Sequence, residues 1–189
     1  MSEQSPPQWD ESTRPVAPPL GGPPPANAAV GQHLVDVHDH LRRELDELHD
    51  LVRQVEQARI TAAEARADIN RMTLRQNDWT LGAYCSSYCR LLTGHHSLED
   101  AAIFPHLRGS APGLAPVVDR LAEEHHVIHG MLEDLDRALV AFINAPADTT
   151  PLRQALRTLT DALLSHLAYE EQQLVPALER YGFYPDQLA

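Results

Sequence analysis

From Gln32 onward apolar residues recur at alternating spacings of four and three. Leu34, Leu41, Leu45, Leu48, Val52 and Val55 occupy the a and d places of a heptad, the seam that a helix turns toward its partners. One seam place in that run is polar, and it is His38. A later stretch repeats the design with Leu121, Ile128, Leu132, Leu135, Leu139 and Phe142, and its polar place is His125. A constant offset of 87 residues lays the two seams on each other and His38 on His125. A second pair of segments repeats at an offset of 71: His95 to Leu107 lies over His166 to Leu178, and both read H-x-x-x-E-[DE]-x-x-[IL]-[FV]-P-x-L. Upstream the match continues through Leu81, Cys85, Tyr88 and Leu92 over Leu152, Leu156, Leu159 and Leu163. Coincidence of His, Glu, Pro and Leu at four fixed offsets is on the order of one in ten thousand per register at ordinary residue usage, so the repeat is an internal duplication. Four helices follow, in the order A, B, A′, B′.

The pattern predicts an all-α fold, an antiparallel up-down-up-down four-helix bundle over residues 31–181. Residues 1–30 hold eight of the fifteen prolines and are expected to form a disordered Pro-rich tail; residues 182–189 form a C-terminal tail. Pro112-Gly113 marks the turn before the third helix, and Asp148-Thr149-Thr150-Pro151 offers a capping threonine and a first-turn proline for the last. For His38 and His95 to stand level, helix A is expected to end near Gln57 and helix B to start near Asp78. Arg59 to Asn77 is then a partly helical connector, with Ala62, Ala65, Ile69 and Met72 packed outside.

Composition narrows the function. A length of 189 residues is one domain's worth, and a net charge of −12 repels nucleic acid and anionic membranes. All fifteen basic residues are arginine, which excludes Schiff-base chemistry and a lysine-dependent phosphate loop. No apolar run approaches the roughly 18 residues that span a bilayer, and the start lacks a leader pattern. Cys85 and Cys89 suit neither a disulfide framework nor a redox pair, and read as packing residues in a reducing cytoplasm. Tyr84 and Tyr88 read as core.

The eleven histidines change the picture. His38, His95, His125 and His166 converge in one layer with Glu99 and Glu170, each glutamate four residues after its histidine and therefore on its face. Buried carboxylates without a partner cost several kcal/mol each, and no seam arginine is there to offset them. A cation resolves this. Histidine with carboxylate and no thiolate suits iron, manganese or zinc, and six donors suit two metals bridged by two carboxylates. His96 with Asp100 is an alternative register for His95 with Glu99, although the repeat places Leu167 opposite His96. His33, His40, His49, His106 and His126 fall off the seam.

The order His38, His95 with Glu99, His125, and His166 with Glu170, with its HHxxED…FP and HxxxEE…VP runs, resembles the hemerythrin-like family of cation-binding four-helix bundles over roughly residues 31 to 181. The resemblance implies a non-haem centre of two iron ions, oxo- or hydroxo-bridged, with histidine terminal ligands and glutamate bridges. It adds His129, four residues after His125, as a further ligand, and it would place the last carboxylate at Glu171, whereas the internal repeat points to Glu170. The expected partner is a small diatomic or peroxide ligand. Six protein donors leave more than one open position and favour peroxide turnover, catalase-like or peroxidase-like; seven leave one and favour reversible binding of dioxygen or nitric oxide. Repeat symmetry favours six. Iron handling without catalysis is a third possibility, and nothing in the sequence marks a large apolar pocket for an organic substrate.

Overall fold

The computed structural model describes residues 9–21, 28–65, 68–144 and 148–183, and over residue 28 and residues 58–80 the backbone alone. Four long helices carry the chain: α1 (Ala28–Ala65), α2 (Asp68–Leu98), α4 (Ala115–Asn144) and α5 (Thr150–Tyr181). After α2 the chain makes a wider π-turn, Glu99–Ile103, and continues into the short α3 (Phe104–Ser110). Pro105, which has no N–H for the carbonyl four residues back, lies just beyond this turn, while its counterpart in the repeat, Pro176, sits inside an uninterrupted α5. α1 packs on α2 and α5, and α4 packs on α5 and α2, which closes the bundle. Among the described residues there is no strand, and no helix is long and apolar enough to cross a membrane.

Every a/d seam residue expected from the heptads is buried. The apolar seam is interrupted once in each helix, and the interruptions fall at one level. One cluster holds Leu41 to Val55, Leu81 to Leu92, Ile128 to Phe142 and Leu152 to Leu167. The other holds Leu34, Phe104, Leu107, Leu114, Leu121, Leu174 and Leu178. Between them lie His38, Glu99, His125, His166 and Glu170, all buried.

Three expectations are corrected. The connector between helices A and B is absent: α1 runs to Ala65 and α2 begins at Asp68. His38 stands 27 residues before the first of these ends and His95 stands 27 after the second, so the two are level without any interruption. The side chains of Ala62, Ala65, Ile69 and Met72 lie outside those described. His125 stands 19 residues before the end of α4 and His166 stands 16 after the start of α5, a difference of about 4.5 Å at ~1.5 Å per residue. At the start of α5 the cap is supplied by Asp148, whose Oδ1 accepts the N–H of Thr150 at 2.8 Å; Thr149 donates its hydroxyl to Glu56 instead.

The third correction concerns residues 9–21 of the tail alone. Residues 1–8 and 22–27 lie outside the described residues, but residues 9–21 lie seated on the bundle. The Tyr169 hydroxyl donates to the Pro15 carbonyl at 2.7 Å, the Ala17 N–H donates to Gln173 Oε1 at 2.7 Å, and Trp9 packs against the core. Proline lowers the entropy that an extended segment loses on ordering, so a few directed contacts suffice. At the other end Gly182 takes the left-handed φ of 67° as α5 stops and Phe183 packs on the second cluster; residues 184–189 are outside those described.

Candidate metal centre

Seven side chains from all four long helices and the π-turn meet between the two apolar clusters. They form two groups whose donor atoms lie within 4.8 Å of one another: His96, His125 and His166 in one, His38, His95, Glu99 and Glu170 in the other. Nε2 of His38 and Nε2 of His95 are 3.1 Å apart. Glu99 reaches both groups, with Oε1 3.2 Å from His95 Nε2 and Oε2 3.5 Å from His125 Nε2. Glu170 Oε2 lies 3.6 Å from Nε2 of both His38 and His166. The His96 ring stacks on His125 at 4.0 Å between centroids.

Hydrogen bonding makes the case for cations. Among the described residues eight buried side-chain atoms have no hydrogen-bond partner, and seven of them are in this layer: both oxygens of Glu99, both of Glu170, and Nε2 of His96, His125 and His166. Seven orphaned polar atoms in one buried layer would be costly, whereas lone pairs aimed at a common point are what a metal requires. These residues therefore fit a pair of bound cations.

The outer faces of three histidines are tied down by carboxylates. Glu171 Oε1 lies 2.9 Å from Nδ1 of His38, Asp100 Oδ1 lies 2.9 Å from Nδ1 of His125, and Glu124 Oε2 lies 3.0 Å from Nδ1 of His166. A carboxylate can only accept, so each Nδ1 carries the hydrogen and each Nε2 presents its lone pair inward. Arg42 holds Glu171 at 2.7 Å. In metal sites such a carboxylate behind a histidine orients the ligand and raises its basicity.

Burial sets the protonation of the metal-free chain. It lowers His38 to about 2, His95 to about 3 and His166 to about 4, neighbouring histidines adding to the effect, and pushes His96 far below the usual histidine range. It raises Glu170 to about 8, with Glu171 and Asp100 nearby adding to it, and raises Glu99 well above the usual carboxylate range, with Glu170 adding to it. A base with a lowered pKa stays neutral in the fold while the unfolded chain takes up its proton, so stability rises with pH up to about 6.5. An acid with a raised pKa keeps its proton in the fold while the unfolded chain releases it, so stability falls as pH climbs through the range to about 8. The thermal midpoint of the metal-free chain is therefore expected to peak at about pH 6.5 and decline on both sides. A midpoint that holds level on the alkaline side would contradict this protonation scheme.

The structure places the expected residues unevenly. His38, His95, Glu99, His125, His166 and Glu170 come together; His129 does not. Its side chain is 60 % exposed and Nε2 lies 3.6 Å from Glu133, because Ile128 and Leu132 take the inward stripe of α4. The third imidazole of that group comes from His96 on α2. The two registers treated as alternatives are thus used together: His95 and His96 both face inward, Glu99 reaches the layer, and Asp100 supports His125. Glu171 supports His38 from outside and Glu170 occupies the layer, as the repeat indicated. Glu124 escaped the sequence reading, although it directly precedes a seam histidine. Tyr88 and Cys85 are buried in the core, and both cysteines are free. Of the off-seam histidines, His49 pairs with Thr160 and His106 with the Gly182 carbonyl, while His33 and His126 line clefts that reach the layer.

Two clefts reach the layer. An apolar one of about 640 Å³, lined by Leu34, Val37, Leu98, Ile103 and Leu178, opens on His95 and Glu99. It was not foreseen, since its walls come from residues far apart in the chain. A more polar one of about 270 Å³, lined by Thr93, Ser97 and Asp100, opens on His96 and His125. No curated protein and no solved structure gives a significant match to the chain. Residues 29–178 match the model of the hemerythrin HHE cation binding domain, and they include every member of the seven-residue layer. With that match covering most of its length and a buried layer built to hold cations, the chain belongs to the hemerythrin HHE cation-binding domain family.

Proposed function

We propose that the chain holds two iron ions at His38, His95, His96, Glu99, His125, His166 and Glu170 and binds a small oxidant there: dioxygen, nitric oxide or peroxide. The observation that carries this reading is the convergence of two glutamates with no hydrogen-bond partner on four buried histidines and the part-buried His95. Five imidazoles and two carboxylates without thiolate match iron better than copper(I) or an iron–sulfur cluster, and the tight space between four helices matches a carboxylate-bridged pair. When bound, such a pair supplies redox-active coordination positions to a small ligand.

The residues of this chain set which ligand and how many. His96, His125 and His166 provide three donors on one side, while His38 and His95 provide two on the other. The shortfall therefore lies on the two-histidine side, beside the apolar cleft at His95 and Glu99. Leu34, Val37 and Ile103 give that cleft mostly apolar walls, with His33 and Arg90 also lining it. His38, fixed by Glu171, and His95 border that place.

The seven-donor layout, with His96 in the role expected of His129, supports reversible binding first. Peroxide turnover is the second reading, supported by the polar cleft that gives His96 and His125 their own access. Reduced protein mixed with dioxygen is expected to give a new visible absorption that reverses under vacuum. Oxidised protein mixed with hydrogen peroxide is expected to show little gas evolution. Steady oxygen evolution that is lost in Glu99→Ala, without a reversible dioxygen spectrum, would reverse the order of the two readings.

A further inference from the structure

Residues 9–21 precede the segment matched to the family, yet they reach the support of the three-histidine group. Arg14 is the sole arginine before Arg42. Its Nε donates to Glu124 Oε1 at 2.7 Å, its Nη2 to Glu124 Oε2 at 2.9 Å, and its Nη1 to Ser165 Oγ at 2.8 Å. The guanidinium lies 4.7 Å from the Tyr169 ring centroid, and the side chain is 10 % exposed. Around it the segment is tied to α4 and α5 at the level of the layer: Arg120 donates to the Asp10 carbonyl, Ser165 to Glu11, and Tyr169 to the Pro15 carbonyl.

The division of labour on Glu124 is informative. Arg120 also holds this carboxylate, but through Oε1, at 2.9 Å. Oε2 is the oxygen that meets Nδ1 of His166, and Arg14 is its other partner. A planar guanidinium fork fixes both carboxylate oxygens at once, which a single contact from Arg120 cannot do. Glu124 is 2 % exposed, so water does not take over that task.

We propose that Arg14 is a positioning residue for the metal centre: by fixing Glu124 it holds His166 in the tautomer whose Nε2 lone pair points into the layer. The segment before the family domain is thereby part of the site. The proposal rests on reading the layer as a metal centre, and its test separates the two.

In the metal-free chain, nitrogen-15 spectra of the His166 imidazole are expected to show one tautomer, with the hydrogen on Nδ1, and a mixture in Arg14→Ala. In the iron-loaded chain, excess ferrous chelator is expected to remove metal about 10-fold faster from Arg14→Ala than from the unsubstituted chain, the scale on which outer partners of ligands act. Arg14→Lys should fall between them, since a point charge restores attraction without the fork. Tyr169→Phe cuts a tie of the segment while keeping the ring beneath Arg14, and should release metal at the unsubstituted rate. Equal tautomers and equal release in Arg14→Ala and the unsubstituted chain would overturn the proposal. So would Tyr169→Phe reproducing both effects, since the segment would then act only as a clamp. If the unsubstituted chain took up no iron, the metal reading would fail, and the imidazole spectra would still decide the role of Arg14.

Discussion

Glu170→Leu is expected to strip the chain of its cations and, in the metal-free state, to make it more stable. The two effects have opposite signs for one reason. Both oxygens of Glu170 are buried without a hydrogen-bond partner, and the residue is fully enclosed. With metal the carboxylate is a donor that reaches toward both histidine groups, through His38 and His166. Its loss should weaken binding by more than the roughly 10–100-fold typical of outer-partner substitutions. Without metal the same group is an uncompensated buried acid, held protonated at some cost. Replacing a buried ion pair with apolar residues of similar volume often gains about 1–4 kcal/mol, and removing a buried acid that has no hydrogen-bond partner acts in the same direction. Metal content after dialysis and the thermal midpoint of the metal-free variant are the two readouts. Retained metal, or a lowered midpoint, would contradict the account. An ordinary core position gives the reverse pattern, because there a substitution costs stability and leaves metal binding alone.

His96→Ala and His129→Ala should separate as sharply. His96 is buried, stacks on His125 and presents an unpartnered Nε2; His129 is exposed beside Glu133. Removing His96 leaves the His125 and His166 group short of a donor, and iron content is expected to fall to about one per chain. Removing His129 should leave both content and spectrum unchanged. The opposite outcome, metal lost with His129 and kept without His96, would mean that α4 turns in solution to present its i, i+4 pair.

The contrast shows what the sequence carries and what it does not. Seam histidines are legible because burial follows the heptad, so a polar residue at a seam place announces itself; His38 and His125 were readable in this way. His95, Glu99, His166 and Glu170 were readable because the repeat reports the same pair twice. His96 was obscured because its counterpart is Leu167, and the duplicated halves differ where the two histidine groups differ. His129 misled because i, i+4 spacing guarantees a shared face but not which side of the stripe turns inward, and Ile128 and Leu132 decide that. The boundary between α1 and α2 was illegible since no glycine or proline stands between Gln57 and Asp78. Arg14 was illegible for another reason. Composition speaks to the average entropy of ordering a segment, whereas a buried fork on one carboxylate is a single specific contact.

The central claim is that two cations bind between the apolar clusters, one beside His96, His125 and His166 and one beside His38, His95, Glu99 and Glu170. Elemental analysis of the chain purified without chelators tests it most directly. The account predicts iron at about two per chain, the stoichiometry of a carboxylate-bridged pair in a bundle core. A single zinc, or a folded chain that takes up no metal from a ferrous solution, would contradict it.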